Sequence, residues 1–299
     1  MSGGSGSNNP TPTNTSPSRE FLSSEGFATA ASTVADAPAG TRYETQLATI
    51  EGDDVGFAPA TLQKLTQNDD VYVFSYPDGG VVTIAQNVRL TKVSPFDHQG
   101  VSTTRTDGSG SPLTVNMGRQ SDINITEAQL LSFFEGGGSG VVDKVGVIGA
   151  STDPSQFDQV TGSVTYEGDV FVAYRGSPTS GVYGTAGGDV SIEANFQDNT
   201  LTGVADLDQR SVSLAPSSSD FLEGAQLSIE GAMNSRNGFE GTVSLQSSST
   251  SSSMTDFNAD MKGAFFGSEA AAVGGTLVGS VNTSDAGVMP IVGGFVAQE

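Results

Sequence analysis

The run Met261-Lys-Gly-Ala-Phe-Phe-Gly-Ser-Glu-Ala-Ala-Ala-Val-Gly-Gly-Thr-Leu-Val-Gly279 decides how this chain is read. Successive side chains of an extended strand point to opposite faces. Phe265 and Phe266 therefore bury on different sides: one seals a core, and the other faces outward toward whatever packs there. Glu269 to Val273 is a helical turn or loop that crosses to the next strand, which Gly274 and Gly275 allow to begin close against its neighbour. This is structural chemistry, and nothing in it nominates a nucleophile, an acid or a base.

Working outward, the chain from Thr161 onward alternates over short segments punctuated by Gly, Asn and Asp. Val190, Ile192, Ala194 and Phe196 share one face, opposite Ser191, Glu193 and Asn195. Asp198-Asn199 then turns the chain into Leu201, Gly203, Ala205 and Leu207. Leu227, Ile229 and Gly231 make the next face, and Asn234 to Gly238 turns into Phe239, Gly241, Val243 and Leu245. Phe257 to Phe266, Gly275 to Val281 and Ile291 to Ala297 complete the set. With Ser163 to Tyr174 as a hairpin or one bent strand, this makes about eight antiparallel strands, which close into a small barrel filled by side chains. A β-sandwich gives a similar pattern.

Before Ala150 the pattern is mixed. Tyr43 to Ile50 alternates as a strand, with Tyr43, Thr45, Leu47 and Thr49 on one face. Val71 to Tyr76 and Val81 to Val93 flank the turn Pro77-Asp-Gly-Gly80 and read as a hairpin. Two short helices are expected, at Pro59–Leu65 and at Thr126–Phe134, the second capped by Thr126 and ended by Gly136-Gly-Gly138. Ser94 to Pro112 reads as a long exposed loop. Residues 1–20 are a Gly/Ser/Asn/Pro tract that cannot bury enough apolar surface to offset chain entropy, so a flexible tether is expected. The expected organisation is thus mainly β: the tether, a mixed α+β unit over 21–155, and an eight-stranded antiparallel β-barrel over 156–299.

Composition narrows function. The chain has 299 residues with 12 Lys+Arg against 34 Asp+Glu, a net charge of −22. Such a surface repels phosphate backbones and anionic lipid, so no nucleic-acid partner is expected. Cys is absent, which removes disulfides and thiolate metal sites, and the single His removes two-His metal motifs. No segment carries the apolar length of a membrane helix. No G-x-S-x-G elbow, P-loop or dinucleotide fingerprint occurs. Asp53-Asp54, Asp69-Asp70 and Asp206-x-Asp208 lack the spacing and closing Glu of a calcium loop and read as solvated turns.

The Gly263–Gly279 pattern resembles the hairpin that closes the barrels of the transferrin-binding protein B family of bacterial surface lipoproteins. Val164 to Val172 and Gly187 to Gly203 are similar to the opening of the same barrels. The resemblance covers about Thr161 to Glu299, just under half the chain. It implies a handle unit ahead of the barrel, a non-enzymatic binding role, and a cell-surface, outer-membrane or secreted location. Anchoring is then expected only through a lipidated N-terminus, if one is present: either Met1 stands where the lipidated Cys was, or the tract is a native flexible N-terminus. The family carries two handle–barrel pairs where this chain carries one, so transferrin itself does not follow as the ligand.

The candidate binding residues are Phe96, His98 and Arg105, an aromatic, the only imidazole and one of few cations within Ser94 to Pro112. The expected partner is a host or environmental protein, or haem. No resident cofactor is expected, although haem is a candidate ligand through His98, with Tyr72 or Tyr76 as the next candidates. His98 also reads simply as a solvated loop residue. Two other readings compete: an adhesive or structural surface protein whose barrel is a spacer, and a hydrolase built on a carboxylate pair.

Overall fold

The computed structural model describes residues 41–51, 53–64, 71–78, 81–92, 98–102, 113–118, 127–135, 141–176, 183–208, 222, 224–234, 237–248, 254–284 and 286–299. The expected tether lies outside the described residues.

Two closed antiparallel barrels follow one another along the chain, each of eight strands. The first comprises β1 (Arg42–Glu51), β2 (Asp54–Lys64), β3 (Val71–Asp78), β4 (Val81–Lys92), β5 (His98–Ser102), β6 (Leu113–Gly118), β7 (Ala128–Glu135) and β8 (Val142–Gly149). It closes where β1 meets β8, with Leu47 opposite Gly146. A one-turn helix, α1 (Pro154–Phe157), precedes the second barrel. That barrel comprises β9 (Ser163–Arg175), β10 (Tyr183–Asn195), β11 (Thr200–Asp208), β12 (Ala225–Met233), β13 (Gly238–Ser248), β14 (Met254–Phe266), β15 (Ala272–Thr283) and β16 (Gly287–Gln298). It closes where β16 meets β9, with Gly294 opposite Phe171.

The mainly β class and the eight-stranded C-terminal barrel agree with the sequence reading, and so does the hairpin of β3 and β4, where Tyr72 pairs with Val88. The α+β character of the first half does not. Among its described residues ahead of α1 there is no helix. The expected helix at Pro59–Leu65 falls largely on β2, where Pro59 stands opposite Gln46. The expected helix at Thr126–Phe134 is β7, and the expected loop Ser94 to Pro112 contains β5. The physical reason is burial on both faces. Ala128 and Leu130 pack against the second barrel, while Gln129, Leu131 and Phe133 are buried on the opposite face. Such a strand loses its period-2 signature and reads like a buried helix.

The second barrel encloses one apolar cluster, which includes Tyr166, Ile192, Leu227, Phe257, Phe265 and Phe295. A second cluster lies between the barrels, where Ala48, Ile50, Leu130, Val145 and Val147 meet Phe171, Phe266, Val278, Val292 and Val296. This seam explains why all of β8 is buried: one face lines the first barrel and the other covers the second.

Candidate functional site

The second barrel has its interior occupied by its own side chains. The Phe265 ring lies 5.2 Å from that of Phe157, 5.3 Å from Phe196, 5.8 Å from Phe239 and 6.0 Å from Tyr166. These rings close the end of the barrel beside α1. The helix itself is held by Asp153, whose carboxylate accepts from the Ser155 amide at 2.8 Å. The Tyr166 hydroxyl donates to the Ala270 carbonyl at 2.8 Å, so this buried polar group is satisfied. Burial, and then the nearby Glu299 carboxylate, push the Tyr166 phenol far above its ordinary pKa. A small molecule has no place inside this barrel, and any partner meets its outer surface or its connecting segments.

The seam between barrels is built by the same motif. Phe266 points away from Phe265, and a Cβ built on Gly149 would lie 2.6 Å from the Phe266 Cδ1 atom. Gly274 faces the first barrel, where a Cβ would lie 2.8 Å from Val147 Cγ1. Gly275 faces inward, where a Cβ would lie 3.0 Å from the Phe295 ring. The paired glycines thus serve two approaches, one on each face of the strand. The linker is tied down as well. Thr152 donates its amide to the Phe265 carbonyl at 3.1 Å and its hydroxyl to the Gly267 carbonyl at 2.9 Å. Asn237, at φ +66°, donates its side-chain amide to Ser151 Oγ at 2.7 Å and to the Thr152 carbonyl.

Neighbouring contacts also fix how the barrels are aligned. Val147 stands against Gly274, and Val145, nearer the start of β8, stands against Gly294, which pairs with Thr276. The strand ends therefore match: the linker end of the first barrel lies beside the α1 end of the second.

Among described residues the first barrel is lined differently. Tyr43, Thr45, Thr49, Gln129 and Lys144 are buried on the face opposite the seam, beside Leu47, Leu131 and Ile148. Thr45 donates its hydroxyl to the Val147 carbonyl at 2.5 Å, and Thr49 donates to the Gly56 carbonyl at 3.1 Å. Lys144 pairs with Asp143 at 2.6 Å. Asp143 is the extra residue of a β-bulge, since Phe133 pairs with Lys144 and Phe134 with Val142. Burial raises the Tyr43 phenol pKa far above its ordinary value, so the group keeps its proton.

The outer face of the second barrel is acidic. Glu167, Asp189, Glu193, Asp206, Glu230, Glu240, Asp256 and Asp260 are exposed, and Asp189 lies directly opposite Asp206. Lys262 offsets part of this charge, 3.5 Å from Glu240 and 5.3 Å above the centre of the Phe57 ring. No group of three or more His, Cys, Asp or Glu among the described residues is arranged to hold a metal ion.

Residues 159–299 match the family model of the C-lobe and N-lobe β-barrels of Tf-binding protein B. The match takes in every strand of the second barrel, β9 to β16. No curated protein matches the chain. Among solved structures, the transferrin-binding protein B vaccine antigen of Haemophilus parasuis Hp5, as a double mutant, is similar at 15% identity and a TM-score of 0.55. That match covers 86% of this chain and 44% of the other. The isotype 1 protein of serogroup B Neisseria meningitidis is similar at 14% identity and a TM-score of 0.48, over 87% of this chain and 44% of the other. The chain thus spans less than half the length of either relative. These likenesses concern the fold.

The sequence-predicted site residues are only partly placed. Phe96 and Arg105 lie outside the described residues. His98 is the first residue of β5 and Ser102 the last. Tyr72 and Tyr76 belong to β3. The sequence reading missed Tyr43, Lys144 and the Asn237 tie. The signal for Tyr43 was present, because Tyr43, Thr45, Leu47 and Thr49 share one face. A half-polar face ordinarily reads as solvent-facing.

Proposed function

We propose that the protein is a non-enzymatic bacterial surface binding protein that captures a host protein or a haem-bearing partner. The observation that carries this reading is the match of residues 159–299 to a barrel family named for binding transferrin, in a barrel whose interior is already full. Capture then falls to the outer surface and the connecting segments, where ligand specificity is commonly displayed on a rigid scaffold. The tied linker and the apolar seam support this, since they hold both barrels as one body. Attachment to the outer membrane is through a lipidated N-terminus. The chain has no helix among its described residues long and apolar enough to cross a membrane.

Phe96, His98 and Arg105 are the proposed contacts. Immobilised protein exposed to host serum and to haem-protein mixtures tests the reading. Saturable retention of one species is expected, and no retention from either source overturns it. A haem titration separates the ligand classes: if haem itself binds through His98, a Soret shift appears and is lost in His98→Ala.

A further inference from the structure

Strand β2 is paired along its length on one side but only near its end on the other. Every residue from Asp54 to Gln63 stands opposite a residue of β1. β3 pairs only with Thr61 to Lys64, through Ser75 to Tyr72. The sequence explains the break. Continued toward the start of β2, that register would set Pro59 against Pro77, and neither carries an N–H to donate.

The ladder with β1 fixes which backbone groups are left over. Glu51 and Asp54 are partners with two residues between them, so they form the closing hydrogen-bonded pair of the hairpin. Asp54, Gly56 and Ala58 thus aim their backbone groups at β1, while Val55, Phe57 and Pro59 aim theirs the other way. Among the described residues nothing pairs with the Val55 and Phe57 groups. Asp54 and Pro59 are exposed, and Val55 to Ala58 are half-buried. The Val55 and Phe57 side chains pack against the seam cluster, which holds this free sheet edge in place.

The border of the edge is acidic. Glu51, Asp53 and Asp54 are exposed at the hairpin tip. On the second barrel, Lys262 lies 5.3 Å above the centre of the Phe57 ring and is already paired with Glu240 at 3.5 Å. The exposed Asp260 stands two residues along β14 on the same outer face. Such a border repels a second copy of this chain, whose own carboxylates would meet it, and attracts an extended segment of opposite charge.

We infer that the β2 edge from Val55 to Phe57 docks a short extended segment of a partner protein by strand addition, with Lys or Arg at alternate positions facing Glu240 and Asp260. The inference deepens the capture reading and rests on it for the partner being a protein.

The test uses the full chain and a short fluorescein-labelled peptide of alternating lysine and valine. Its anisotropy is expected to saturate at one peptide per chain. Methylating the central backbone amides of the peptide keeps its charge and removes its donors, and should weaken binding by about tenfold, the worth of two hydrogen bonds. Val55→Pro removes one outward N–H, leaves the β1 ladder intact and should weaken binding by about fivefold, with the fold retained by circular dichroism. Absence of saturable binding overturns the inference, as does equal binding of the methylated peptide or equal binding by the folded variant. A dimer of the unmodified chain that Val55→Pro dissolves in sedimentation also overturns it, since a second copy would then hold the edge. Retention of a serum protein without peptide binding removes the edge and leaves the capture reading standing, whereas peptide binding without retention does the reverse.

Discussion

Phe265 and Phe266 are adjacent on β14 yet serve different halves of the molecule. Phe265 joins Phe157, Phe196 and Phe239 inside the second barrel, whereas Phe266 lies in the seam against Gly149. One peptide unit therefore couples the barrel core to the inter-barrel contact. The bridge between Ser151 and Phe266 joins the linker to the same point.

This coupling predicts distinct outcomes for the two truncations. Phe265→Ala removes the hub of the aromatic plug and should destabilise the second barrel by about 3–5 kcal/mol. Phe266→Ala should cost a similar amount at the seam and divide one calorimetric unfolding transition into two. A single sharp transition in Phe266→Ala would show that the seam does not couple the barrels.

Gly274 offers a cleaner probe of the seam. Gly274→Ala forces a methyl against Val147 and should destabilise by about 1–3 kcal/mol. Adding Val147→Ala should recover part of that loss, giving a coupling of about 0.5–3 kcal/mol in a double-mutant cycle measured by denaturant unfolding. Strict additivity would place the two residues out of contact.

Asn237 combines a left-handed backbone with two side-chain hydrogen bonds to the linker. Asn237→Gly keeps the backbone freedom and loses the bonds, while Asn237→Ala loses both. The Gly variant should therefore be destabilised by about 1–2 kcal/mol and the Ala variant by more. Equal losses would assign the whole effect to the side chain.

Asp153 sets a pH dependence. The Ser155 side-chain hydrogen bond, and then the Ser155 amide, hold its carboxyl below the ordinary carboxylate range. A carboxyl depressed in the folded state contributes stability above its unfolded pKa and loses it as pH falls through the folded pKa. The difference in melting temperature between the unmodified protein and Asp153→Ala should thus be present at neutral pH and shrink in acid. A difference that is constant with pH would remove the carboxylate from the cap.

How much of this was legible in the sequence depended on solvent. Strands of the second barrel such as β10 and β11 alternate because one face meets water, and Val190, Ile192 and Ala194 are buried while Asp189 and Glu193 are exposed. The Phe265-Phe266 pair and Gly274-Gly275 were readable for the same reason, since opposite faces of one strand need opposite environments. In β7 and β8 both faces are covered, so Leu130-Leu131 and Val145 to Ile148 show no alternation and the first barrel was hidden behind apparent helices. Tyr43 was visible but pointed the wrong way: nothing local distinguishes a polar face that lines a barrel from one that meets solvent.

The central claim, capture of a partner on the outside of a two-barrel body, is tested most directly by saturation binding of the serum or haem-bearing protein that the immobilised chain retains. Binding to the unmodified protein is compared with binding to the Phe96→Ala, Arg105→Ala double variant, with the melting temperature of each recorded. The account predicts saturable binding that weakens by at least tenfold in the variant, about 1.4 kcal/mol, while the melting temperature stays the same. Equal binding by both proteins would contradict these contacts, and the absence of any saturable binding would contradict the capture role itself.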